Sequence, residues 1–324
     1  MRALASPASC KGVLSAVEGA MALAAGMRTA GLEADELPVA DGGEGTAEVL
    51  AAARGGEWRM AAVSDPLGRV VAARYLVLED GTVVVEAAEA IGLSRLREDE
   101  RDPLRATSRG LGELVLAAAA AASGPILVCL GDSATVDGGA GLRVVVGDSL
   151  AGRELVGLCD VRNPLLGERG AARGFGPQKG ASPVEVEELE ARLAAMEELR
   201  PYAALPGAGA AGGLGAALAA LGGELVSGAG FVLERIGFRG LACDAHLVVT
   251  GEGTVDGSST EGKAVGEVAR ICGEEGVRCA VFGGRVLAAP SGVETYALSG
   301  DPGRAADDLV ELGEKLGGAL LGFA

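Results

Sequence analysis

The chain has 324 residues, of which 49% are apolar and only 3% aromatic, and it carries a formal net charge of −17. That apolar share excludes a disordered chain, and the length fits two domains or one large α/β domain. The charge argues against nucleic acid or an anionic membrane as a partner, and the scarcity of aromatics argues against stacked bases; a small anion stays compatible, because lysines and helix N-termini act locally.

In chain order, residues 2–6 predict a short strand and residues 14–27 a helix, with Gly31 past its end. Residues 33–39 predict a second strand, which runs into Asp41-Gly42-Gly43-Glu44-Gly45-Thr46 and a helix over 47–53. This β-α-β-α opening points to a parallel sheet. Residues 58–63, 70–77 and 82–86 are β-rich runs separated by Asp65-Pro66-Leu67-Gly68 and Glu79-Asp80-Gly81, the pattern of an antiparallel meander. A helix over 107–122 leads to a buried strand over 125–130, and an acidic amphipathic helix covers 184–199. The β-α-β rhythm returns with a strand at 246–250, a helix at 262–272, a strand at 278–282 and a last helix at 304–316.

The two ends of the chain are alike and the middle differs. The expected fold class is α/β: a doubly wound parallel-sheet domain made from both chain ends, with a second, mixed-sheet α/β domain inserted. The boundaries read as 1–56 plus 226–324 for a Rossmann-like or flavodoxin-like domain and 57–225 for the insert.

Cys10, Cys129, Cys159, Cys243, Cys272 and Cys279 form no C-x-x-C pair and read as reduced core residues. The sole histidine, His246, reads as a structural residue at a strand end, so a His-rich metal site or Ser-His-Asp chemistry is not expected. The apolar start is too short for a signal peptide, with Lys11 close behind, and the apolar run 114–130 is broken by Ser123-Gly124-Pro125. A cytoplasmic protein without membrane partners is the expectation.

Only four of the 28 basic residues are lysines, and three of these stand beside a glycine: Lys11, Lys179 and Lys263. A compact ammonium beside backbone amides suits a phosphate or carboxylate; Lys315, on a terminal helix, reads as a surface residue. Carboxylates recur in Gly-rich loops: Asp41 to Thr46, Gly131 to Gly141, Cys159 to Pro164 and Gly251 to Gly257. Lysines for phosphate, carboxylates for Mg²⁺ and for activating a hydroxyl, and glycines for close approach together describe phosphoryl transfer at the carboxyl ends of strands. Two motifs match only in part. Gly257 to Lys263 fits G-x-x-x-x-G-K, but Ala264 follows where a P-loop needs a hydroxyl. Gly207 to Gly212 fits G-x-G-x-x-G without a convincing strand before it, leaving a dinucleotide site, an anion site or close helix packing as readings.

Taken together the loops resemble the bacterial glycerate kinase family of the type that makes 2-phosphoglycerate. The matching stretches are Lys11-Gly12 with Leu14-Ser15-Ala16, Leu37 through Thr46, Asp65-Pro66-Leu67-Gly68, and Ser133-Ala134-Thr135 with Asp137 through Gly141. Cys159-Asp160-Val161 with Asn163-Pro164-Leu165, Phe175 through Ala181, Pro206 through Gly215, and Thr250 through Gly253 with Asp256-Gly257 and Gly262-Lys263 follow in the family's order. The resemblance implies ATP- and Mg²⁺-dependent phosphorylation of D-glycerate by a two-domain α/β enzyme with its active site in the cleft. It further implies that Asp41 and Glu44 line that cleft, that Ser133 and Asp137 face nucleotide or metal, and that Asp160 and Asn163 lie near the transferred group. Gln178 and Lys179 would meet phosphate, Lys11 and Lys263 phosphate or the glycerate carboxylate, and Glu252 the substrate. Asp137 and Asp256 compete for the base. Metal ligands and oligomeric state stay open, a homo-oligomer included.

The chain departs from the family pattern at Ala8, where an acid is usual, at Asp132, where a glycine is usual, and at Val136, where an amide is usual. Thr254 and Ser258 replace an Arg and a Gln, and the chain looks shortened between 146 and 155. A non-catalytic ligand sensor on the same scaffold, or a nicotinamide-dependent oxidoreductase resting on Gly207 to Gly212, are the alternative functions.

Overall fold

The computed structural model describes residues 1–257, 263–288 and 292–322. The chain divides into two units: Met1–Asp41, Glu48–Arg54 and Gly228–Ala324 form one, and Gly42–Ala47 with Gly55–Ser227 the other. Each has its own sheet and its own apolar core.

The first unit is built on β1 (Arg2–Ala5), α1 (Ala16–Thr29) and β2 (Glu33–Glu36). α2 (Thr46–Arg54) follows, its last seven residues belonging to this unit. After the second unit, the chain returns with α9 (Gly228–Arg235), α10 (Phe238–Cys243), β9 (Leu247–Val255), α11 (Ala264–Glu275), β10 (Arg278–Val286), β11 (Glu294–Ala297) and α12 (Ala305–Leu321). All pairings are parallel, in the order β11-β10-β9-β1-β2. β1 leads outward to β2 on one side and β9 to β10 on the other, so the strand order reverses between β1 and β9. Open α/β sheets bind ligands at such a switch point, at the carboxyl ends of the strands.

Local sequence explains these elements. Ser15 caps α1 by accepting from the Glu18 amide, and Glu18 returns a bond to the Ser15 amide, a capping box. With few aromatics, the helices close in through glycine: a Cβ on Gly26 would stand 2.0 Å from the Val310 carbonyl oxygen, and one on Gly313 would stand 2.4 Å from that of Leu23. α1 and α12 therefore cross nearly backbone to backbone. His246 sits just before β9, where its amide donates to the Arg2 carbonyl and its Nδ1 accepts from the Arg2 amide, the structural part expected of it.

The second unit holds β3 (Glu57–Ser64), β4 (Val70–Val77), β5 (Val83–Glu86), α3 (Ala87–Ile91), α4 (Arg109–Ala121), β6 (Ile126–Cys129) and α5 (Ala140–Val146). β7 (Leu155–Leu158), α6 (Ala171–Phe175), α7 (Pro183–Ala194), α8 (Ala210–Ala220) and β8 (Glu224–Val226) complete it. β3, β4 and β5 form the antiparallel meander, and β5 to β8 continue as parallel strands, giving one mixed sheet in the order β3-β4-β5-β6-β7-β8. β5 and β6 are buried along their whole length, as strands covered on both faces must be.

The expected α/β class, parallel at the chain ends and mixed in the middle, is the observed one. The carboxyl end of β9 differs from expectation, as does the helix expected over 184–199, which ends at Ala194 and is followed by a 3-10 helix, Glu197–Tyr202. Residues 251–255, read as a loop, continue β9, because β10 runs on to Val286 and pairs with it through Phe282↔Gly251 and Val286↔Val255. Gly251 is required there: a Cβ would stand 2.5 Å from the Phe282 ring. All six cysteines are free thiols and five are buried. Among the described residues no helix is long and apolar enough to cross a membrane.

Candidate functional site

In the second unit the carboxyl ends of three adjacent parallel strands, β5, β6 and β7, deliver Glu86, the Gly131–Asp137 loop and Asp160. Ser133, Ala134, Thr135 and Val136 are buried although they lie in a loop. Leu93 donates to the Asp132 carbonyl and Ala134 to that of Ile91, so the loop is stitched to the end of α3.

Lys179 organises this loop. It ends a tight 3-10 turn, Pro177–Lys179, and is only 4% exposed, whereas its neighbour Gln178 is exposed. Its Nζ donates to Ser133 Oγ at 3.0 Å and to the Thr135 carbonyl at 2.8 Å. Burial pulls its pKa down to about 7, against the opposing pull of the Asp137 and Asp132 charges. This places the Lys179 ammonium inside the loop, on Ser133 and Thr135.

Asp137 is equally committed. Its Oδ2 accepts from the Ser108 amide at 2.8 Å, the Ser108 hydroxyl at 2.8 Å and the Gly141 amide at 3.2 Å, and its Oδ1 accepts from the Gly139 amide at 3.0 Å. One carboxylate thus joins the start of α4 to the start of α5. Asp160 accepts from Ser227 Oγ at 3.2 Å, and Asn163 donates its side-chain amide to the Arg169 carbonyl at 2.7 Å. Glu44 lies exposed on the Gly42–Ala47 segment of this unit.

That segment approaches the β6 loop closely. A Cβ on Gly131 would stand 2.6 Å from Gly43 Cα and 3.2 Å from the Glu44 amide nitrogen. Ser133 and Asp137 therefore share one loop, Lys179 is bonded to it from the Pro177–Lys179 turn, and Glu44 stands on the neighbouring segment.

The Gly207–Gly212 motif does not follow a strand. The segment before it contains a 3-10 helix, Glu197–Tyr202. Its glycines are close-packing positions: a Cβ on Gly209 would stand 2.3 Å from the Pro164 carbonyl oxygen, and one on Gly212, 1.9 Å from that of Thr135. The dinucleotide fingerprint lacks its strand, and the packing reading accounts for the motif.

In the first unit the switch point carries Ser6 and Thr250. Both hydroxyls are fully buried, Ser6 just past β1 and Thr250 within β9, and have no hydrogen-bond partner among the described residues, although the Ser6 amide donates to the Val249 carbonyl. The Lys11 loop packs beside Glu252 and Gly253: a Cβ on Gly253 would stand 3.6 Å from Cys10 Cα, and the Cys10 thiol is pushed up in pKa by burial and then by the Glu252 charge. Lys11 is exposed, and Asp41 and Asp256 are half-buried in this unit. Lys263 is the N-cap of α11, with no side-chain cap bond there. The rest of the G-x-x-x-x-G-K motif, 258–262, lies outside the described residues, as does the departure at Ser258.

Sequence reasoning missed Glu86, Ser108 and Thr250. Glu86 had a visible signal, a carboxylate ending the run Val83-Val84-Val85. Ser108 had none, and Thr250 stood out only as the first residue of the Thr250–Gly253 stretch.

Comparisons with known proteins agree across the chain. The glycerate kinase family model matches residues 3–154 and 144–300. The overlap of the two segments falls on the region that looked shortened. The chain is 41% identical to glycerate 2-kinase of Escherichia coli strain K12, an alignment covering 84% of this chain and 82% of that protein. It is 37% identical to glycerate kinase of Bacillus subtilis strain 168, over 81% of this chain and 79% of that one. A crystal structure assigned as glycerate kinase 2 from Salmonella typhimurium LT2 superposes with a TM-score of 0.86 at 32% identity, covering 99% of this chain and 98% of that one.

Proposed function

The chain belongs to the glycerate kinase family, and on that premise we propose that it transfers the terminal phosphoryl group of ATP to the 2-hydroxyl of D-glycerate. The observation that carries this reading is that Lys11, Asp41 and Glu44, Ser133 and Asp137, Asp160 and Asn163, and Asp256 follow the carboxyl ends of the parallel strands β1, β2, β6, β7 and β9.

ATP would supply the phosphoryl group, and Mg²⁺ would neutralise charge on the phosphates. Among the described residues no group of three or more His, Cys, Asp or Glu could hold a metal ion. Mg²⁺ would arrive with the nucleotide, since in kinases the ion takes one or two carboxylates plus phosphate oxygens. The anion-binding parts fit. α11, a helix of twelve residues, begins at Lys263, whose side chain makes no cap bond, so a cation stands beside the helix N-terminus. Lys11 adds an exposed ammonium in the same unit.

The proton of the attacking hydroxyl needs an acceptor. Asp137 holds four protein donors on its carboxylate and serves as a pillar of the loop. Asp256, of the original pair, is then the base. Lys179 and Asp137 act through the Ser133–Asp137 loop by fixing its backbone, while Ser133, Glu44, Asp160 and Asn163 remain the substrate-side groups of the second unit. Gln178, exposed beside buried Lys179, is the residue of that turn able to meet phosphate. Nothing favours the oxidoreductase.

The test is ADP release with D-glycerate, ATP and Mg²⁺, for wild type and Asp256→Asn. The reading expects turnover that falls by about 10²–10⁴-fold in the variant at unchanged melting temperature. Folded wild type that binds but does not turn over would point to the sensor instead.

A further inference from the structure

We propose that Glu86 is a positioning residue for this reaction, its buried carboxylate holding the Asp41–Thr46 loop through the backbone amides of Gly45 and Ala47. The inference rests on the kinase reading, in which Asp41 and Glu44 of that loop serve the substrate.

Glu86 ends β5 and is 5% exposed. It stands at the N-cap of α3 yet makes no cap bond there. Its carboxylate turns instead to a segment about 40 residues earlier: Oε1 accepts from the Ala47 amide at 2.7 Å and Oε2 from the Gly45 amide at 3.3 Å. These amides open α2, where a helix leaves donors unsatisfied and favours negative charge. Gly131 closes on Gly43 of the same segment. The loop is thus fixed at one point by the carboxylate and at another by a glycine contact, and Glu44 lies between Gly43 and Gly45.

A leucine would fill the same space without the cost of desolvating a carboxylate. What a leucine could not do is satisfy two amides. Burial is the main cause that raises the Glu86 pKa to about 7; the Ala47 and Gly45 amides pull it down, the Glu89 charge on α3 pushes it up, and Arg74 on β4 pulls it down. Arg74 and Glu89 are themselves an ion pair. Protonation removes negative charge and acceptor capacity from the face that the amides meet. The hold on the loop therefore weakens as pH falls through about 7.

The test compares wild type, Glu86→Gln and Glu86→Leu by steady-state kinetics from about pH 6 to 9, with amide hydrogen exchange on the same proteins. In wild type, KM for D-glycerate rises below about pH 7. In Glu86→Leu at pH 8 we expect a KM about tenfold higher with a smaller change in kcat, no pH limb near 7, and about tenfold less protection of the Gly45 and Ala47 amides, while β6 stays protected. Glu86→Gln, which keeps one acceptor, falls between. Wild-type KM, pH limb and protection in Glu86→Leu would overturn the proposal. If wild type itself does not phosphorylate glycerate, the kinase reading fails, and exchange alone decides: retained protection in Glu86→Leu overturns the hold, and its loss supports it.

Discussion

Lys179 Nζ and Ser133 Oγ lie 3.0 Å apart, 46 residues apart in sequence and both buried. The same ammonium reaches the Thr135 carbonyl, so one amine spans the Ser133-Ala134-Thr135 turn. This pair converts a Gly-rich loop, otherwise free to vary, into a fixed backbone. Removing the amine should loosen the turn by an ångström or so, and misplacement on that scale costs about 10²-fold in rate. Lys179→Met is expected to lose roughly that factor in kcat/KM for D-glycerate, and Lys179→Arg, larger and always charged, should not rescue it. Steady-state kinetics on both variants checks this.

Stability should depend on pH with two opposed slopes. The Glu86 pKa is raised to about 7 in the folded protein, so between about 4.5 and 7 the native state keeps a proton that the unfolded chain has lost. That contribution is full below the unfolded value and disappears as pH rises through about 7. The Lys179 pKa is lowered to about 7 from 10.5, so between those values the unfolded chain binds the extra proton. Its contribution is full above 10.5 and is lost as pH falls through about 7. The two together give a shallow minimum near neutrality. Urea titrations should show that Glu86→Gln flattens the acid-side slope and Lys179→Met the alkaline-side slope; parallel curves for wild type and variants would refute the assignment.

Asp137→Asn separates a pillar from a base. Three donors point at Oδ2, from the Ser108 amide, the Ser108 hydroxyl and Gly141. An asparagine that keeps its oxygen there loses the charge, and one that turns its amide there faces donor with donor. Hydrogen bonds to a charged acceptor contribute about 1.5–3 kcal/mol. The variant should lose on the order of 3 kcal/mol in chemical denaturation. A variant as stable as wild type but inactive would return Asp137 to the role of base.

Gly131→Ala tests the contact between two loops. The added methyl would stand 2.6 Å from Gly43 Cα, against backbone that cannot swing aside as a side chain would. Overpacking of this kind costs about 1–3 kcal/mol. Thermal melts should register that loss, and KM for D-glycerate should rise more than kcat falls. A wild-type KM would show that the Gly42–Ala47 segment does not depend on this contact.

Much of the fold was legible because local pattern and tertiary role agree. The chain ends alternate strand and helix with capping residues such as Ser15, and they form the parallel sheet. β7 and β8 were not legible: Leu155-Val156-Gly157-Leu158 and Glu224-Leu225-Val226 are short, and Gly157 reads as a breaker. In the structure Gly157 makes room for Leu225, whose Cδ2 would lie 2.7 Å from an added Cβ. The site was legible as a set of loops and only partly as a set of roles. Lys179 stood out by its rarity, but a one-residue step in a 3-10 turn decides that Lys179 is buried and Gln178 exposed, and no spacing reveals that. Glu86 shows in the sequence only as a carboxylate ending an apolar run, because its partners are backbone amides, which leave no mark there. Two departures gain a physical account. Asp132 has φ +55°, the left-handed region where the family's usual glycine rests without strain, and aspartate is among the few residues that tolerate it. Val136 is buried beside Leu165, Leu189 and Leu193, where an amide would need a partner.

Phosphorylation of D-glycerate at its 2-hydroxyl is the reaction to be tested. Its most direct measurement is the product formed from ATP, Mg²⁺ and D-glycerate, read by phosphorus NMR and by coupling to enolase with no phosphoglycerate mutase present. The expected result is 2-phosphoglycerate, one ADP per product, and immediate enolase-coupled signal. Signal appearing only after mutase is added would mean 3-phosphoglycerate and a different hydroxyl at the base. No ADP from folded protein would contradict the kinase reading itself.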